Sequence, residues 1–84
     1  MKLSLRSLTI TAAVLWGGSF LVVSGANLLW PPYGAAFLEI MSSLYPGYEA
    51  AGTPGSVIVG TLYAIFDGAI GGAFFAWIYN CFAG

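Results

Sequence analysis

The stretch that decides the fold is GTLYAIFDGAIGGAFFAWIYN, residues 60–80. It is apolar enough to lie in lipid, yet it holds one carboxylate, Asp67, near its middle, and it contains four glycines. Glycine weakens a helix, and an ionised aspartate at the centre of a bilayer costs at least about 2.5–3.5 kcal/mol. The stretch therefore predicts a membrane helix in which the glycines admit a close neighbour and the acid meets a partner.

The composition indicates a protein whose solvent is lipid. Of the 84 residues, 60% are hydrophobic and only 6% are charged. A water-soluble domain of this size needs more charge on its surface, and it cannot bury so much apolar area. We therefore expect the lipid bilayer as the main partner. The net charge of -1 gives no basic surface and so predicts no nucleic-acid partner.

The residue types that carry out catalysis are scarce. The chain has no histidine and a single cysteine, Cys81, which excludes a zinc cluster and a Cys–His pair. Its three acids, Glu39, Glu49 and Asp67, are too far apart along the predicted elements to form a paired-carboxylate site. We expect a protein that is not an enzyme and that holds no metal and no cofactor.

Two apolar segments are long enough to span a membrane, at about residues 7–30 and 56–82. At about 1.5 Å per residue, each exceeds the roughly 30 Å hydrocarbon core, and only a helix satisfies its own backbone there as a single span. The prediction is an all-α membrane fold in one domain, residues 1–84. Its two transmembrane helices form an antiparallel hairpin, and residues 31–55 connect them.

The first segment also has some features of a secretory signal peptide. Lys2 and Arg6 precede it, and Ser24-Gly25-Ala26 is similar to a small-residue cleavage site. The apolar run is long for a signal peptide and continues through residues 28–30. We therefore expect this segment to remain in the chain as a membrane span.

Charge predicts the orientation. Both basic residues precede the first span, whereas the connection carries only Glu39 and Glu49. Basic residues favour the cytoplasmic side, so we expect both termini in the cytoplasm and the connection outside. Aromatic residues typical of membrane interfaces lie at the predicted borders: Trp30 and Tyr33 outside, Trp77 and Tyr79 inside.

The connection predicts a short amphipathic helix. Pro31-Pro32 ends the first span. At helical spacing, one face then holds Tyr33, Ala36, Phe37, Ile40, Met41 and Leu44, and the other holds Glu39, Ser42 and Ser43. We expect this helix to lie flat on the outer membrane surface or to pack over the end of the hairpin. A structural role is favoured over a lid or docking surface.

Small residues recur every four positions in the second span, as Gly60, Ala64, Gly68, Gly72 and Ala76. Such a ridge lets another helix approach closely. The first span has a similar row, Thr9, Ala13, Gly17, Leu21 and Gly25. Antiparallel packing would place Gly17 against Gly68, Ala13 against Gly72, and Gly25 against Gly60. The alternative is that the ridge joins neighbouring copies of the chain.

Asp67 lies about 100° around the helix from this ridge, beside the predicted contact rather than in it. The depth-matched residue of the first span, Ser19, faces away from the contact. We therefore expect the carboxyl group to reach a neighbouring chain or to line a small polar cavity. Three roles stay open: a neutral hydrogen-bonding group, a water-facing carboxylate in a pore, and a proton carrier.

The pattern DGAIGGAFFAWIYN, residues 67–80, resembles the second helix of a family of very small bacterial two-helix membrane proteins often labelled bacteriophage-holin-like. The positions that carry the resemblance are Asp67, Gly68, Gly71, Gly72, Ala76, Trp77, Tyr79 and Asn80. The resemblance implies location in the bacterial cytoplasmic (inner) membrane. It also implies oligomers, assembled here through the small-residue ridge, that open lesions in that membrane.

Two other functions fit the same residues. The chain has almost no surface suited to water, which is also typical of an accessory subunit in a larger respiratory or photosynthetic membrane complex. A membrane acid such as Asp67 is also typical of proteins that conduct protons or ions. Self-association, docking as a neighbouring subunit and conduction are therefore the three functional hypotheses.

Overall fold

The computed structural model describes residues 2–49 and 52–83. These residues form three helices, α1 (Leu5–Leu29), α2 (Ala35–Leu44) and α3 (Pro54–Phe82), and no strand occurs among them. The all-helical prediction is confirmed. With 25 and 29 residues, α1 and α3 are both long and apolar enough to cross a membrane.

Local polar groups define where the long helices begin. Ser4 caps α1, where its side chain accepts a hydrogen bond from the backbone N–H of Ser7. Thr53 and Ser56 form a reciprocal capping box at the start of α3, with Pro54 in the first turn. Such caps satisfy backbone N–H groups that have no partner within the helix. Thr53 and Pro54, predicted as part of the connection, thus begin α3.

The two long helices lie side by side and run in opposite directions. Near one end Gly72 lies against the backbone of Leu8, and near the other Gly60 lies against the ring of Phe20. The later residue of α3 therefore meets the earlier residue of α1. The result is a hairpin-like shape of 47 × 20 × 18 Å.

The small-residue ridge of α3 is covered by α1 within the same chain. All five members are buried: Gly60, Ala64, Gly68, Gly72 and Ala76. A Cβ atom added to Gly68 would lie only 2.5 Å from the carbonyl oxygen of Ala12. The backbones therefore approach at a distance that only glycine permits at this position.

The contact partners on α1 differ from the predicted row. Gly68 meets Ala12 and the Cβ of Trp16 instead of Gly17, and Gly17 lies against Ile65. Gly72 meets Leu8 and Ala12 rather than Ala13. The predicted pairing of small residues with small residues is wrong in register, because the backbone carbonyls of Ala12 and Leu8 occupy the spaces beside Gly68 and Gly72.

Gly25 shows the same correction at the other end. The space where its side chain would point is open, with no atom within 4 Å, so it does not pair with Gly60. Gly60 instead faces the rings of Phe20 and Tyr48. Phe20 is 0% exposed and is the largest fully buried side chain in the described residues. A ring in this groove gains more contact area than a second glycine would.

Helix α2 packs on the side of the hairpin rather than over its end. The ring of Phe37 lies 6.0 Å from the rings of both Trp16 and Phe20, well inside α1. The buried residues of α2 are Leu38 and Met41, whereas Ile40 and Leu44 are exposed. The predicted apolar face is therefore rotated, because Leu38, which was not assigned to it, packs inward and leaves a second apolar strip outside.

The ridge predicts different outcomes for two glycines of α3. Gly68→Leu forces a side chain into the α1 backbone and should lower the free energy of unfolding by about 1–3 kcal/mol or more. Gly71→Leu is the matched control, because Gly71 is exposed and nothing lies within 4 Å of a Cβ atom added there. Unfolding of the monomer in mixed detergent micelles measures both. Equal stabilities of the two variants would contradict the packing described here.

Candidate functional site

Asp67 is linked to both other helical segments by a short chain of hydrogen bonds. Its Oδ2 accepts a hydrogen bond of 2.9 Å from the hydroxyl of Tyr45. That hydroxyl in turn accepts a hydrogen bond of 3.0 Å from the indole Nε1 of Trp16. These three residues, which we call the Asp67 array, connect α1, the end of α2 and α3.

The position of Tyr45 follows from the end of α2. Tyr45 caps this helix, and its backbone N–H donates to the carbonyl of Met41. Its ring stacks on that of Tyr63, with centroids 5.1 Å apart and an interplanar angle of 13°. The hydroxyl of Tyr63 donates to the carbonyl of Pro46, the next residue. Contacts on both sides of Tyr45 therefore aim its hydroxyl at Asp67.

Tyr45 acts as the donor toward Asp67. Its side chain is buried, and this burial raises the pKa of its hydroxyl above the ordinary value for tyrosine. The hydrogen bond from Trp16 lowers the pKa, and the hydrogen bond to Asp67 raises it again. Tyr45 therefore keeps its proton at neutral pH and can donate it to the carboxyl oxygen.

Asp67 itself is exposed on the surface of the single chain. Within residues 2–49 and 52–83, its carboxyl group accepts one hydrogen bond, from Tyr45. A carboxylate has two oxygens and about four acceptor positions, and its protonated form also has one donor. Asp67 therefore retains hydrogen-bonding capacity that is directed outward from the hairpin.

The Asp67 array is suited to positioning rather than to proton relay. A relay group must both receive and release a proton, as a hydroxyl or carboxyl group does. The indole N–H of Trp16 is a donor only. A proton passed from Asp67 to Tyr45 would go no further along this array, whose two hydrogen bonds hold the carboxyl group beside the end of α2.

The remaining predicted positions lie at several places on the hairpin. Gly17 is buried against α3, and Gly25 is half-exposed beside open space. Ser19 is exposed and makes no hydrogen bond to Asp67. All four residues predicted to lie at membrane interfaces have exposed side chains near the helix ends: Trp30, Tyr33, Trp77 and Tyr79.

Two asparagines that the sequence did not single out as binding residues secure the ends of the hairpin. Asn80 accepts from the backbone N–H of Leu3 at 2.7 Å and donates to its carbonyl at 2.8 Å. Asn27, buried near the end of α1, donates to the carbonyls of Pro31 and Tyr33. An amide in an apolar helix needs such partners. An asparagine within an apolar stretch is therefore the sequence signal that could have identified both residues.

Tyr45 and Trp16 are also additions to the predicted site. No spacing rule connects them to Asp67, because 22 residues separate Tyr45 from Asp67 and the path of the connection brings them together. Comparison with protein-family models, curated proteins and solved structures finds no match to this chain.

We expect removal of the Tyr45 hydroxyl to weaken the packing of α2. Tyr45→Phe removes the hydrogen bonds to both Asp67 and Trp16, which should destabilise the packed state of α2 by about 1–3 kcal/mol. Tyr48→Phe is the matched control, since its buried ring packs on Phe20 and its hydroxyl makes no hydrogen bond within the described residues. Amide hydrogen exchange across residues 35–45 should accelerate only in Tyr45→Phe, and unchanged exchange would contradict the role of the hydroxyl.

Proposed function

We propose that the chain is a small integral membrane protein that acts by associating laterally with other membrane helices, in the first place with copies of itself. The observation that carries this proposal is the position of Asp67. It lies near the middle of a long apolar helix, it is exposed, and the described residues provide one hydrogen bond to it.

A carboxyl group in this position needs a partner from outside the hairpin. Lipid tails offer no hydrogen bonds, and polar groups in the hydrocarbon region accordingly face other protein groups or water. A neighbouring helix that brings a donor would satisfy the outward side of Asp67 and exclude lipid from it. Association in the membrane plane therefore stabilises this acid in a way that the single chain does not.

The association that we propose uses the outer surfaces of the hairpin. The small-residue ridge of α3 is already covered by α1, so it is not free for a second chain. Large apolar residues point outward on both long helices, among them Val14, Leu15 and Val22 on α1 and Phe66, Ile70 and Phe74 on α3. These surfaces suit lipid or another apolar helix.

In this proposal both termini lie in the cytoplasm and the connection lies outside. Lys2 and Arg6 then face the cytoplasm, in keeping with the preference of basic residues for that side. The Tyr45 end of helix α2 would reach the level of Asp67, so this helix would run down the side of the outer half of the hairpin. Its exposed apolar residues Ile40 and Leu44 would contact lipid, and its exposed Glu39 would contact water.

The orientation can be tested with one thiol at each end of the hairpin. Cys81 is exposed near the end of α3 that we propose to be cytoplasmic, and Glu49 is exposed in the connection. In intact cells a membrane-impermeant maleimide should label Glu49→Cys in a Cys81→Ser background, whereas native Cys81 should react only after permeabilisation. The opposite labelling pattern would overturn the orientation.

The proposed self-association is tested by gentle extraction from native membranes followed by native mass spectrometry. A series of masses at multiples of 8.8 kDa is the expected result. A single large mass shared with other polypeptides would overturn self-association. It would favour an accessory subunit, whose exposed apolar surfaces contact those partners.

Lesion formation is a further step that the holin-like resemblance supports. Tightly controlled expression in a bacterial host should then admit a normally excluded dye within minutes of induction. Asp67→Leu should abolish dye entry, because it removes the polar group that we propose to lie at the contact. Silent accumulation of the native protein in the membrane would argue against lesion formation while leaving self-association intact.

A further inference from the structure

We infer that copies of this chain associate head to tail, with Asp67 of one copy bound by Ser19 of the next. This inference rests on the self-association proposed above and names its surfaces. The first surface, the Asp67 strip, consists of exposed residues on one side of α3: Tyr63, Asp67, Ile70, Gly71 and Phe74. The second, the Ser19 groove, lies on α1 and is lined by Val14, Leu15, Gly18, Ser19, Val22 and Val23.

Ser19 has a donor that its own chain does not use. Two other hydroxyl groups of α1 donate to carbonyls of the same helix, Thr9 to Leu5 at 2.6 Å and Ser24 to Phe20 at 2.7 Å. The hydroxyl of Ser19 makes no hydrogen bond within residues 2–49 and 52–83, and Ser19 is exposed. An unused donor on α1 thus complements the unused acceptor capacity of Asp67 on α3.

The two groups lie on different sides of the hairpin and so do not meet within one chain. Gly17 faces α3, where it contacts Ile65. Ser19 lies about 200° around α1 from Gly17, which directs it away from α3. A contact between two different surfaces is heterologous, and such contacts build closed rings or open rows of copies rather than isolated dimers.

Depth in the membrane brings the two groups to a common level. Gly68 contacts Trp16 across the hairpin, so Asp67 and Trp16 lie at similar heights. Ser19 is three residues further along α1, or about 4.5 Å toward the connection. Side chains tilt toward the N-terminus of their own helix. Because α1 and α3 are antiparallel, Asp67 reaches toward the connection and Ser19 reaches away from it, which closes this gap.

Glycines beside both groups allow the helices to approach. Gly18 is next to Ser19, and Gly71 lies one turn after Asp67 on the same side of α3. Both are exposed, and a Cβ atom added to either meets nothing within 4 Å. These glycines are not used for packing inside the hairpin. At the proposed contact they would let the backbone of one copy lie close to the other, as small residues do between membrane helices.

Disulfide cross-linking in vesicles tests the contact with Asp67 and Ser19 left in place. In a Cys81→Ser background, Leu15→Cys lies one turn before Ser19 and Gly71→Cys one turn after Asp67. Because α1 and α3 are antiparallel, both cysteines are displaced by one turn away from the connection and so stay at similar depth. A mixture of the two single-cysteine chains should form cross-linked dimers, and a chain carrying both cysteines should form a ladder. Each single-cysteine chain alone should stay largely uncross-linked.

The hydrogen bond itself is tested by adding Ser19→Ala to the double-cysteine chain. Loss of an average hydrogen bond between membrane helices should reduce cross-linking about threefold. Thr11→Ala is the matched control, because Thr11 is another exposed hydroxyl on α1 but lies eight residues, or about 12 Å, before Ser19 and so away from the level of Asp67. Equal effects of Ser19→Ala and Thr11→Ala would overturn the role of Ser19.

The outcomes separate this inference from the proposed function. Efficient cross-linking of Gly71→Cys chains to one another would show a symmetric contact between α3 helices, which overturns the head-to-tail arrangement but keeps self-association. No cross-linking together with a mass shared with other polypeptides would overturn both.

Discussion

The structure depends on one steric constraint, the close approach of α1 and α3 along a row of small residues. Because Gly68 has no side chain, the α1 backbone near Ala12 can lie against α3. Because Gly60 has none, the ring of Phe20 is fully buried beside it. That ring, with Trp16, forms the surface on which Phe37 and Tyr45 pack. The placement of the connection, and with it the hydroxyl that reaches Asp67, therefore follows from glycines in α3.

Three polar side chains mark fixed points along this apolar hairpin. Asn27 binds the backbone of the connection, Asn80 binds the backbone of Leu3, and Asp67 binds Tyr45 between them. The two asparagines lie at the ends of the hairpin. The side chain of Asn80 both accepts and donates a hydrogen bond within the chain, and that of Asn27 donates two. Asp67 is only partly satisfied. Asp67 therefore differs from the two asparagines, because its carboxyl group has acceptor positions that no described residue fills.

Features that depend on composition were predictable from the sequence. A chain with 6% charged residues and two long apolar runs is expected to form long helices. The four-residue spacing from Gly60 to Ala76 also marks the face of α3 that is buried. Register was not predictable in the same way, since the pairing of Gly60 with Phe20 rather than Gly25 depends on how a ring fits a groove. The partner of Asp67 depends on the path of the connection, which local spacing does not reveal.

The pairing of Asn80 with Leu3 joins positions that are 77 residues apart in the chain. Synthesis proceeds from the N-terminus, so α1 is made long before its partner on α3 exists. During that interval the row of α1 that later contacts the ridge has no helix of its own chain beside it. The basic N-terminal segment can therefore be held beside the end of α3 only after both long helices have been made.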